Sequence, residues 1–300
     1  MSDPNIRDET KAEAEVATAI RISKAAAPDD MISGLGPSKG IVHLTSRPAA
    51  PKSQYQQVVN DEASSGTKPL LLTYFLLQGL GEVIRLILAE TQTPYECIAV
   101  VGGEDQSVAM QWRRRSPNGL LPILSGWGVP RSQPLSQSRS IIKFLSKKLG
   151  LDGGSEDMVA QARVEILFET AKDLSDKKGE ICDVDPVKDY SVAKAAFSLG
   201  KRIEVMLENM PSPKDETTIL NYGQIQLFHV LDTCEARRVG CVKENLGDTL
   251  ATFYSDMANR SGLKEYLQSA ACVPLTHGEL GQDGGYNFAS GPLRRRDIKF

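Results

Sequence analysis

The chain has 300 residues, with 35 Lys and Arg against 38 Asp and Glu and a formal net charge of −3. This length allows two modest domains, and the balanced charge excludes the strongly basic surface typical of proteins that bind nucleic acid or anionic membranes. Because no apolar run reaches the roughly 18 residues of a membrane span, and the first residues are acidic rather than signal-like, we expect a cytoplasmic protein with no nucleic acid and no membrane as partner.

The two ends of the chain have the composition of unpacked segments. Residues 1–68 lack a sustained apolar period and contain linker-like stretches such as PAAPK and DEASSGTKP. Residues 275–300 are rich in Gly and include three consecutive arginines. The sequence therefore predicts a disordered extension over 1–68 and a flexible tail over 275–300.

Residues 69–150 alternate between strand and helix patterns. The predicted strands cover 70–75, 95–100, 121–125 and 129–133, and the predicted helices cover 79–90 and 136–149. This alternation predicts a mixed sheet with helices on both faces. Within the first helix, Glu82 and Arg85 lie three positions apart, so we expect them to pair.

The chain becomes wholly helical after a Gly-rich linker, so residues 155–274 are predicted to form an all-helical second domain. Its first helix is marked by four apolar positions, Val159, Ala162, Ile166 and Leu174. A later helix begins at Asn221, which with Gln224 has the capping-box pattern.

The cysteines and histidines predict no metal site. The five cysteines are spread widely and never form a CxxC pair, so they indicate neither a disulfide framework, a redox dithiol nor a zinc cage. The three histidines share no ligand-like spacing, and packing is the more typical role for His229 in its apolar helix. We expect incidental buried thiols and no metal.

Two segments carry the functional signal. The first segment is residues 71–90, LLTYFLLQGLGEVIRLILAE. Tyr74 lies near the end of its predicted strand, just before the predicted helix, and ligands bind at this end of the strands in α/β domains. In residues 135–138, LSQS, Ser136 can cap a helix and Gln137 and Ser138 fall in its first turn, where unpaired N–H groups favour a carboxylate. Taken alone, Tyr74 is better interpreted as an ordinary strand aromatic, and it is the LSQS segment that favours a catalytic role.

Together, the TYF strand, the QGLGEVIR turn and helix, the LPIL strand at 121–124 and LSQS resemble the amino-terminal domain of the cytosolic glutathione transferases. The likeness is nearest to the tyrosine type, the alpha, mu, pi and sigma classes. The phrases LFHVLDTCEA, LATFY and LKEYLQS resemble the helical domain of the same family. The resemblance implies a thioredoxin-like βαβαββα domain with a mixed four-stranded sheet over 69–150, followed by an all-α domain over 155–274.

The resemblance also implies an activity, conjugation of glutathione to small apolar electrophiles in detoxification, and a homodimer. A thiol with a pKa near 8.5 is only a few per cent ionised at neutral pH. Tyr74 occupies the position of the family's catalytic tyrosine, whose hydroxyl would stabilise the thiolate. Lowering the thiol pKa by ~2 units requires about 2.7 kcal/mol.

Other positions match residues that hold glutathione in the family. Gln137 and Ser138 would bind the γ-glutamyl end, and Leu121, before the family's cis proline at Pro122, would offer main-chain groups to the cysteinyl part. Trp112 with Arg114 or Arg115 would face the glycyl carboxylate. Which arginine acts is open, and a solvated basic loop is the alternative for each.

Three further positions complete the implied site. Glu169 matches an acid that reaches across the dimer to the γ-glutamyl ammonium, with a solvated helix face as its alternative. Leu76 and Leu77 would line the electrophile site. Glutathione would serve as substrate or as cofactor, and no metal is implied.

The chain departs from the family at three places. Leu80 stands where an arginine is usual, Leu120 replaces a glutamine, and Asn118 replaces an aromatic residue of the dimer contact. These changes favour low transferase activity. Two alternatives to an active transferase remain: a weak or inactive transferase-like binding or structural protein, and a glutathione-dependent isomerase. The amino-terminal extension could also tether the fold to a partner.

Overall fold

The computed structural model describes residues 41–46, 52–64, 66–100, 107–154, 156–185, 188–269 and 271–273. Its amino-terminal part is an α/β layer and its carboxyl-terminal part is helical. The predicted fold class is confirmed. The predicted tail over 275–300 and the first 40 residues of the predicted extension lie outside the described residues.

The sheet has the spatial order β1-β3-β2-β4-β5. Its strands are β1 (Ile41–Ser46), β2 (Leu70–Phe75), β3 (Tyr95–Val100), β4 (Ile123–Ser125) and β5 (Leu135–Ser136). Strands β2 and β3 are parallel, and the other neighbouring pairs are antiparallel. The last four strands form the predicted mixed four-stranded sheet, and β1 adds a fifth strand at its edge.

The helices of the α/β layer are α1 (Gln56–Ser64), α2 (Glu82–Glu90), α3 (Ser107–Arg113) and α4 (Ser138–Leu149). A single 3₁₀ turn, Gly79–Gly81, leads into α2. Helix α2 is buried along its whole length, because it packs against α4 and against two helices of the second part. Apolar residues therefore recur on every side of α2 and not only along one stripe.

The helical part contains α5 (Met158–Ser175), α6 (Lys178–Cys182), α7 (Tyr190–Leu207), α8 (Tyr222–Arg237), α9 (Cys241–Leu246), α10 (Asp248–Asn259) and α11 (Ser261–Gln268). Helix α8 is its buried centre and begins with the predicted capping box of Asn221 and Gln224. None of the helices in the described part of the chain is long and apolar enough to cross a membrane.

Two predictions about the α/β layer fail. Residues 129–133 form no strand, since Pro130 begins a turn there, and the last strand is Leu135–Ser136. The predicted disordered extension is also too long, because β1 pairs with β3 and α1 packs on the core through Tyr55 and Val59. Two buried anchors in a polar segment give too weak an apolar period to be recognised in the sequence.

The orientation of α5 differs from the expected one. Val159 and Ile166, used to predict its buried face, are 61% and 54% exposed. The face that packs on α8 consists instead of Val164, Leu167, Phe168, Ala171 and Leu174. Helix α5 therefore carries a second apolar stripe, which points to solvent.

Candidate functional site

The sheet register brings the predicted site segments to one edge. Thr73 of β2 lies opposite Ile123 of β4, and Ile123 lies opposite Ser136 of β5. Because both pairs are antiparallel, the residues after Thr73 and Ser136 lie level with the residue before Ile123. Tyr74, Pro122 and Gln137 are therefore in the same row. The Leu121–Pro122 peptide bond is cis, as the resemblance to the family implies.

Tyr74 is a buried phenol with a backbone partner. Its side chain is 6% exposed, and its hydroxyl oxygen accepts the Leu80 N–H at 3.0 Å. Burial raises the pKa of Tyr74, against smaller opposing effects of the Leu80 N–H and the Arg85 charge. The phenol is therefore neutral at physiological pH, and its O–H remains available to donate a hydrogen bond.

Two glycines of the 3₁₀ turn leave room for this phenol. A Cβ atom at Gly81 would lie 2.5 Å from Cδ1 of Tyr74, and one at Gly79 would lie 2.6 Å from its hydroxyl oxygen. Any side chain at these positions would displace the Tyr74 ring. The two glycines of the QGLG segment thus provide the space that the Tyr74 ring occupies.

A small apolar cluster joins Tyr74 to two other predicted site residues. Tyr74, Trp112 and Leu121 pack together there, beside Ile98 and Val100 of β3. Trp112 is 1% exposed, and its indole Nε1 has no hydrogen-bond partner among the described residues. Packing holds the Trp112 side chain in place. Within the described part of the chain, the indole N–H is therefore a hydrogen-bond donor without an acceptor at the edge of the site.

The basic run after α3 folds back on aromatic rings. The Arg115 guanidinium lies 4.8 Å from the centre of the Trp112 ring, and that of Arg113 lies 5.6 Å from the Phe75 ring. Arg114 is exposed. Cation–π contacts of this kind hold a guanidinium plane against an aromatic ring, which places the Arg115 guanidinium beside Trp112.

The start of α4 presents unpaired backbone donors at the same edge. Gln137 precedes the helix with φ 71°, in the left-handed region, and Ser138 is its first residue. The left-handed conformation turns the chain sharply from β5 into α4. The first N–H groups of a helix lack intrahelical partners and attract anions, and no acidic residue competes in this first turn.

A buried polar network, of which only the Glu82–Arg85 pair was predicted, lies behind Tyr74. The Arg85 guanidinium donates to Glu82 and to the Leu77 carbonyl, both at 3.1 Å, and to the Phe75 carbonyl at 3.3 Å. The Tyr266 hydroxyl of α11 donates to Glu82 at 3.0 Å. The network ties the chain after Tyr74 to the helical part. Tyr266 is too far along the sequence to be predicted from it.

Other predicted site residues lie elsewhere. Leu76 is 1% exposed and packs in the main core, so its side chain is not available to an electrophile, whereas Leu77 is half-buried beside Tyr74. The Glu169 carboxylate forms an ion pair with Arg139 of the same chain at 2.7 Å. Within the described ranges, no group of His, Cys, Asp or Glu side chains is arranged to hold a metal ion.

The three departures are explained in part by their surroundings. Leu80 and Leu120 are 61% and 53% exposed at the edge of the site. The Asn118 side chain accepts hydrogen bonds from the Ser116 hydroxyl and the Leu120 N–H, so it shapes the loop before the cis bond. Asn118 therefore has a local structural role in place of an aromatic contact.

No family model matches the chain. The chain is 32% identical over 201 residues to glutathione S-transferase Mu 6 of Mus musculus, across 62% of this chain and 86% of that protein. It is 27% identical over 222 residues to glutathione S-transferase Mu 1 of Bos taurus, across 69% of this chain and 94% of that protein.

Solved structures agree on the fold. The pi-class glutathione S-transferase of Onchocerca volvulus matches with a TM-score of 0.53 and 24% identity, covering 70% of this chain and 98% of that one. The glutathione S-transferase of Ascaris lumbricoides matches with a TM-score of 0.51 and 20% identity, covering 70% and 99%. At these identities the structural likeness supports the architecture alone.

Proposed function

This chain belongs to the glutathione S-transferase family, and from that premise we propose that it conjugates glutathione to small apolar electrophiles, with Tyr74 as the catalytic residue. The observation that carries the proposal is the Tyr74 hydroxyl. It is buried at the sheet edge, its oxygen accepts the Leu80 N–H at 3.0 Å, and its proton is free to bond a sulfur atom placed beside it.

The proposed reaction is a nucleophilic attack by sulfur. The O–H of Tyr74 stabilises the glutathione thiolate more than the thiol, so the bound thiol loses its proton near neutral pH. The Leu80 N–H polarises the phenol and strengthens this bond. The thiolate then attacks an electrophilic carbon, a carbon–sulfur bond forms, and the displaced group leaves with the bonding electrons.

The rest of the edge offers matching groups for the tripeptide. We assign the γ-glutamyl carboxylate to Ser138 and the first N–H groups of α4, with Gln137 as an adaptable partner. The backbone at Leu121 and Pro122 would pair with the cysteinyl unit. These assignments are supported by the common row in which Tyr74, Pro122 and Gln137 lie.

The glycyl carboxylate would lie near the aromatic and basic residues that follow β3. We assign it to Trp112 and Arg115, since the indole Nε1 lacks a partner and the guanidinium is fixed 4.8 Å from the ring. The exposed Arg114 is a second candidate. Glu169 remains our candidate for the ammonium group, and binding there would compete with its ion pair to Arg139.

Three finer points belong to the proposal. The electrophile would contact Leu77, which is half-buried beside the phenol. The active form would be a homodimer that uses the exposed stripe of α5. We place the reaction in the cytoplasm, as part of detoxification, in keeping with five cysteines that are all free thiols.

The substitution Tyr74→Phe tests the catalytic assignment. It removes only the hydroxyl, so glutathione binding should persist, while the thiol pKa in the complex should rise by ~2 units and turnover below that pKa should fall about a hundredfold. Thiolate absorbance across a pH series measures the first quantity. A chlorodinitrobenzene-type electrophile measures the second. Equal titration curves for the two proteins would refute the role of Tyr74.

A second candidate function is a glutathione-binding module without turnover. It is favoured by Leu80 and Leu120, which leave the edge of the site without the usual arginine and glutamine. Retention on immobilised glutathione with no turnover by the parent protein would select it. Turnover that falls about a hundredfold in Tyr74→Phe would select the transferase. A test with an isomerisable unsaturated ketone distinguishes the glutathione-dependent isomerase.

A further inference from the structure

Three cysteines from distant parts of the sequence meet in the helical part. Cys182 ends α6, Cys234 lies within α8, and Cys241 begins α9. Their thiols are within hydrogen-bonding reach of one another, and the Cys182 thiol can also donate to the Cys234 carbonyl at 3.7 Å. They form what we call the thiol cluster, which belongs to the helical part, whereas Tyr74 belongs to β2 of the sheet.

The surrounding groups hold the cluster in place. The Arg238 guanidinium donates to the Cys182 carbonyl at 2.6 Å and to the Ile181 carbonyl at 3.4 Å. The Asn245 amide donates to the same Ile181 carbonyl at 2.9 Å. These bonds fix the end of α6 against α9, so the Cys182 and Cys241 thiols stay close together.

The cluster favours a single thiolate. Hydrogen bonds from Cys234 and Cys241, with the nearby charges of Arg237 and Arg238, lower the pKa of the Cys182 thiol against the effect of burial. Hydrogen bonding to Cys182 and burial raise the pKa of the Cys241 thiol. All three cysteines are buried, with 2% exposure for Cys182 and 0% for the others, so an oxidant that reaches them must be as small as hydrogen peroxide.

We propose that the thiol cluster is a redox-sensitive site, in which a hydroperoxide oxidises Cys182 and Cys241 to a disulfide that locks α6 to α9. Cys241 is the partner because it begins a helix directly after Gly240, with φ 85°, and Cys182 ends one. Both backbones can adjust to disulfide geometry. Cys234 lies inside the longer α8, where the helix fixes its backbone.

The proposed oxidation proceeds in two balanced steps. The Cys182 thiolate attacks one peroxide oxygen, the O–O bond breaks, and the leaving oxygen takes a proton, giving a sulfenic acid and water or an alcohol. The Cys241 sulfur then attacks the Cys182 sulfur, the S–O bond breaks, and hydroxide leaves as water with the proton of Cys241. Two thiols lose two electrons, and one hydroperoxide gains them.

Peptide mapping of the oxidised full-length protein tests the proposal. Cleavage after Lys and Arg places the three cysteines on separate peptides, 179–188, 215–237 and 239–243. After treatment with hydrogen peroxide and alkylation without reduction, we expect the 179–188 peptide linked to the 239–243 peptide. Dithiothreitol should release both. Absence of any link, or a dominant link to 215–237, would overturn the proposal.

Three variants sharpen the test. Cys241→Ala should abolish the link and let Cys182 advance to the sulfinic acid, whereas Cys234→Ala should leave the link and slow its formation severalfold. Cys97→Ala, which removes a buried thiol of the α/β layer, should change neither. If Cys241→Ala fails to fold, by circular dichroism, Cys182→Ser is the second variant, in which Cys234 and Cys241 should stay reduced at the peroxide dose that links the parent protein. A 179–188 to 215–237 link in Cys241→Ala, or a 215–237 to 239–243 link in Cys182→Ser, formed as fast as the link in the parent protein, would refute the assignment.

Discussion

At the residue scale, the position of the Tyr74 ring depends on the absence of a side chain at Gly81. The backbone at Gly81 has φ −86°, so an alanine there is free of backbone strain. Its Cβ would nevertheless lie 2.5 Å from Cδ1 of Tyr74. The substitution Gly81→Ala should therefore shift the Tyr74 ring while leaving the backbone conformation of the turn unchanged.

We expect Gly81→Ala to lower kcat with the chlorodinitrobenzene-type electrophile by about ten- to a hundredfold, because a displacement near 1 Å has an effect of that size. Gly179→Ala is the matched control, since the nearest atom to its Cβ is 3.8 Å away. The double variant with Tyr74→Phe should be no slower than Tyr74→Phe alone. Additive losses would show that Gly81 acts independently of the phenol.

Single residues differed in how far the sequence could predict them. Tyr74, Pro122 and Gln137 lie in one row of the sheet, and the sequence indicated their proximity through the resemblance of the segments that carry them; their roles stay predictions. The core position of Leu76 was missed, since the direction of the chain after β2 is set by a 2.8 Å turn bond from the Leu77 N–H to the Phe75 carbonyl. Such a local turn leaves no periodic signal.

The network of Glu82, Arg85 and Tyr266 also acts at the residue scale. All three side chains are at most 5% exposed, so a charge left alone there has no access to water. Arg85→Met should lower the free energy of unfolding by about 3–5 kcal/mol, because it leaves the Glu82 carboxylate buried without its cation. Tyr266→Phe should cost only about 1–2 kcal/mol.

Urea unfolding monitored by circular dichroism measures both losses. The control is Lys177→Met, which breaks the partly exposed pair with Glu180 and should leave the free energy of unfolding unchanged, because solvent screens such pairs. An Arg85→Met variant as stable as the parent would mean that the Glu82 carboxylate finds another partner or takes up a proton.

At the element scale, α5 is the helix whose surface is least explained by the chain itself. Met158, Val159 and Ile166 are 81%, 61% and 54% exposed, while the opposite face packs on α8. An apolar stripe of this kind favours contact with another protein surface. We have assigned it to the second copy in the proposed homodimer.

The substitution Ile166→Lys should therefore convert the dimer into a monomer at micromolar concentration, because it puts a charge into the proposed interface. Sedimentation velocity measures the change. Val205→Lys is the matched control, since Val205 of α7 is 60% exposed outside the stripe and should leave the mass unchanged. A parent protein that sediments as a monomer would refute the dimer.

Helices α1, α6 and α9 were not predicted from the sequence, and one physical reason accounts for all three. Helix α1 has only Tyr55 beside it and Val59 within it as deeply buried anchors, and α6 and α9 have five and six residues. Segments this short carry too few turns for a 3.6-residue period to emerge. They are stabilised by tertiary packing, which the local sequence does not record.

At the scale of the whole molecule, a buried ion cluster joins three distant segments. The Glu90 carboxylate of α2 accepts hydrogen bonds from Arg260 Nη2 at 2.6 Å and from Lys52 Nζ at 3.1 Å. Lys52 also pairs with Glu216 at 2.9 Å. Ion pairs thus connect three parts of the chain: the segment before α1, the α/β layer and the helical part. None of these pairings could be predicted, because their members lie tens of residues apart.

This cluster gives the amino-terminal segment a measurable role in stability. We expect Lys52→Met to lower the free energy of unfolding at pH 7 by about 1–3 kcal/mol, less than for an isolated buried pair because Glu90 keeps its bonds to Arg260. The control is Lys147→Met, on the exposed face of α4, which should be neutral within about 0.5 kcal/mol. Urea unfolding measures both variants.

The same variant should show a defined pH dependence. Burial acts to raise the pKa of Glu216, but the Lys52 and Ser261 hydrogen bonds outweigh it and leave the pKa below its usual value. The stability due to this carboxylate is therefore complete above about pH 4.3, the unfolded pKa, and is lost as the pH falls through the lower folded pKa. The difference between parent and Lys52→Met should narrow from pH 7 to pH 3. A difference that stayed constant on acidification would show that Lys52 acts through packing and not through its charge.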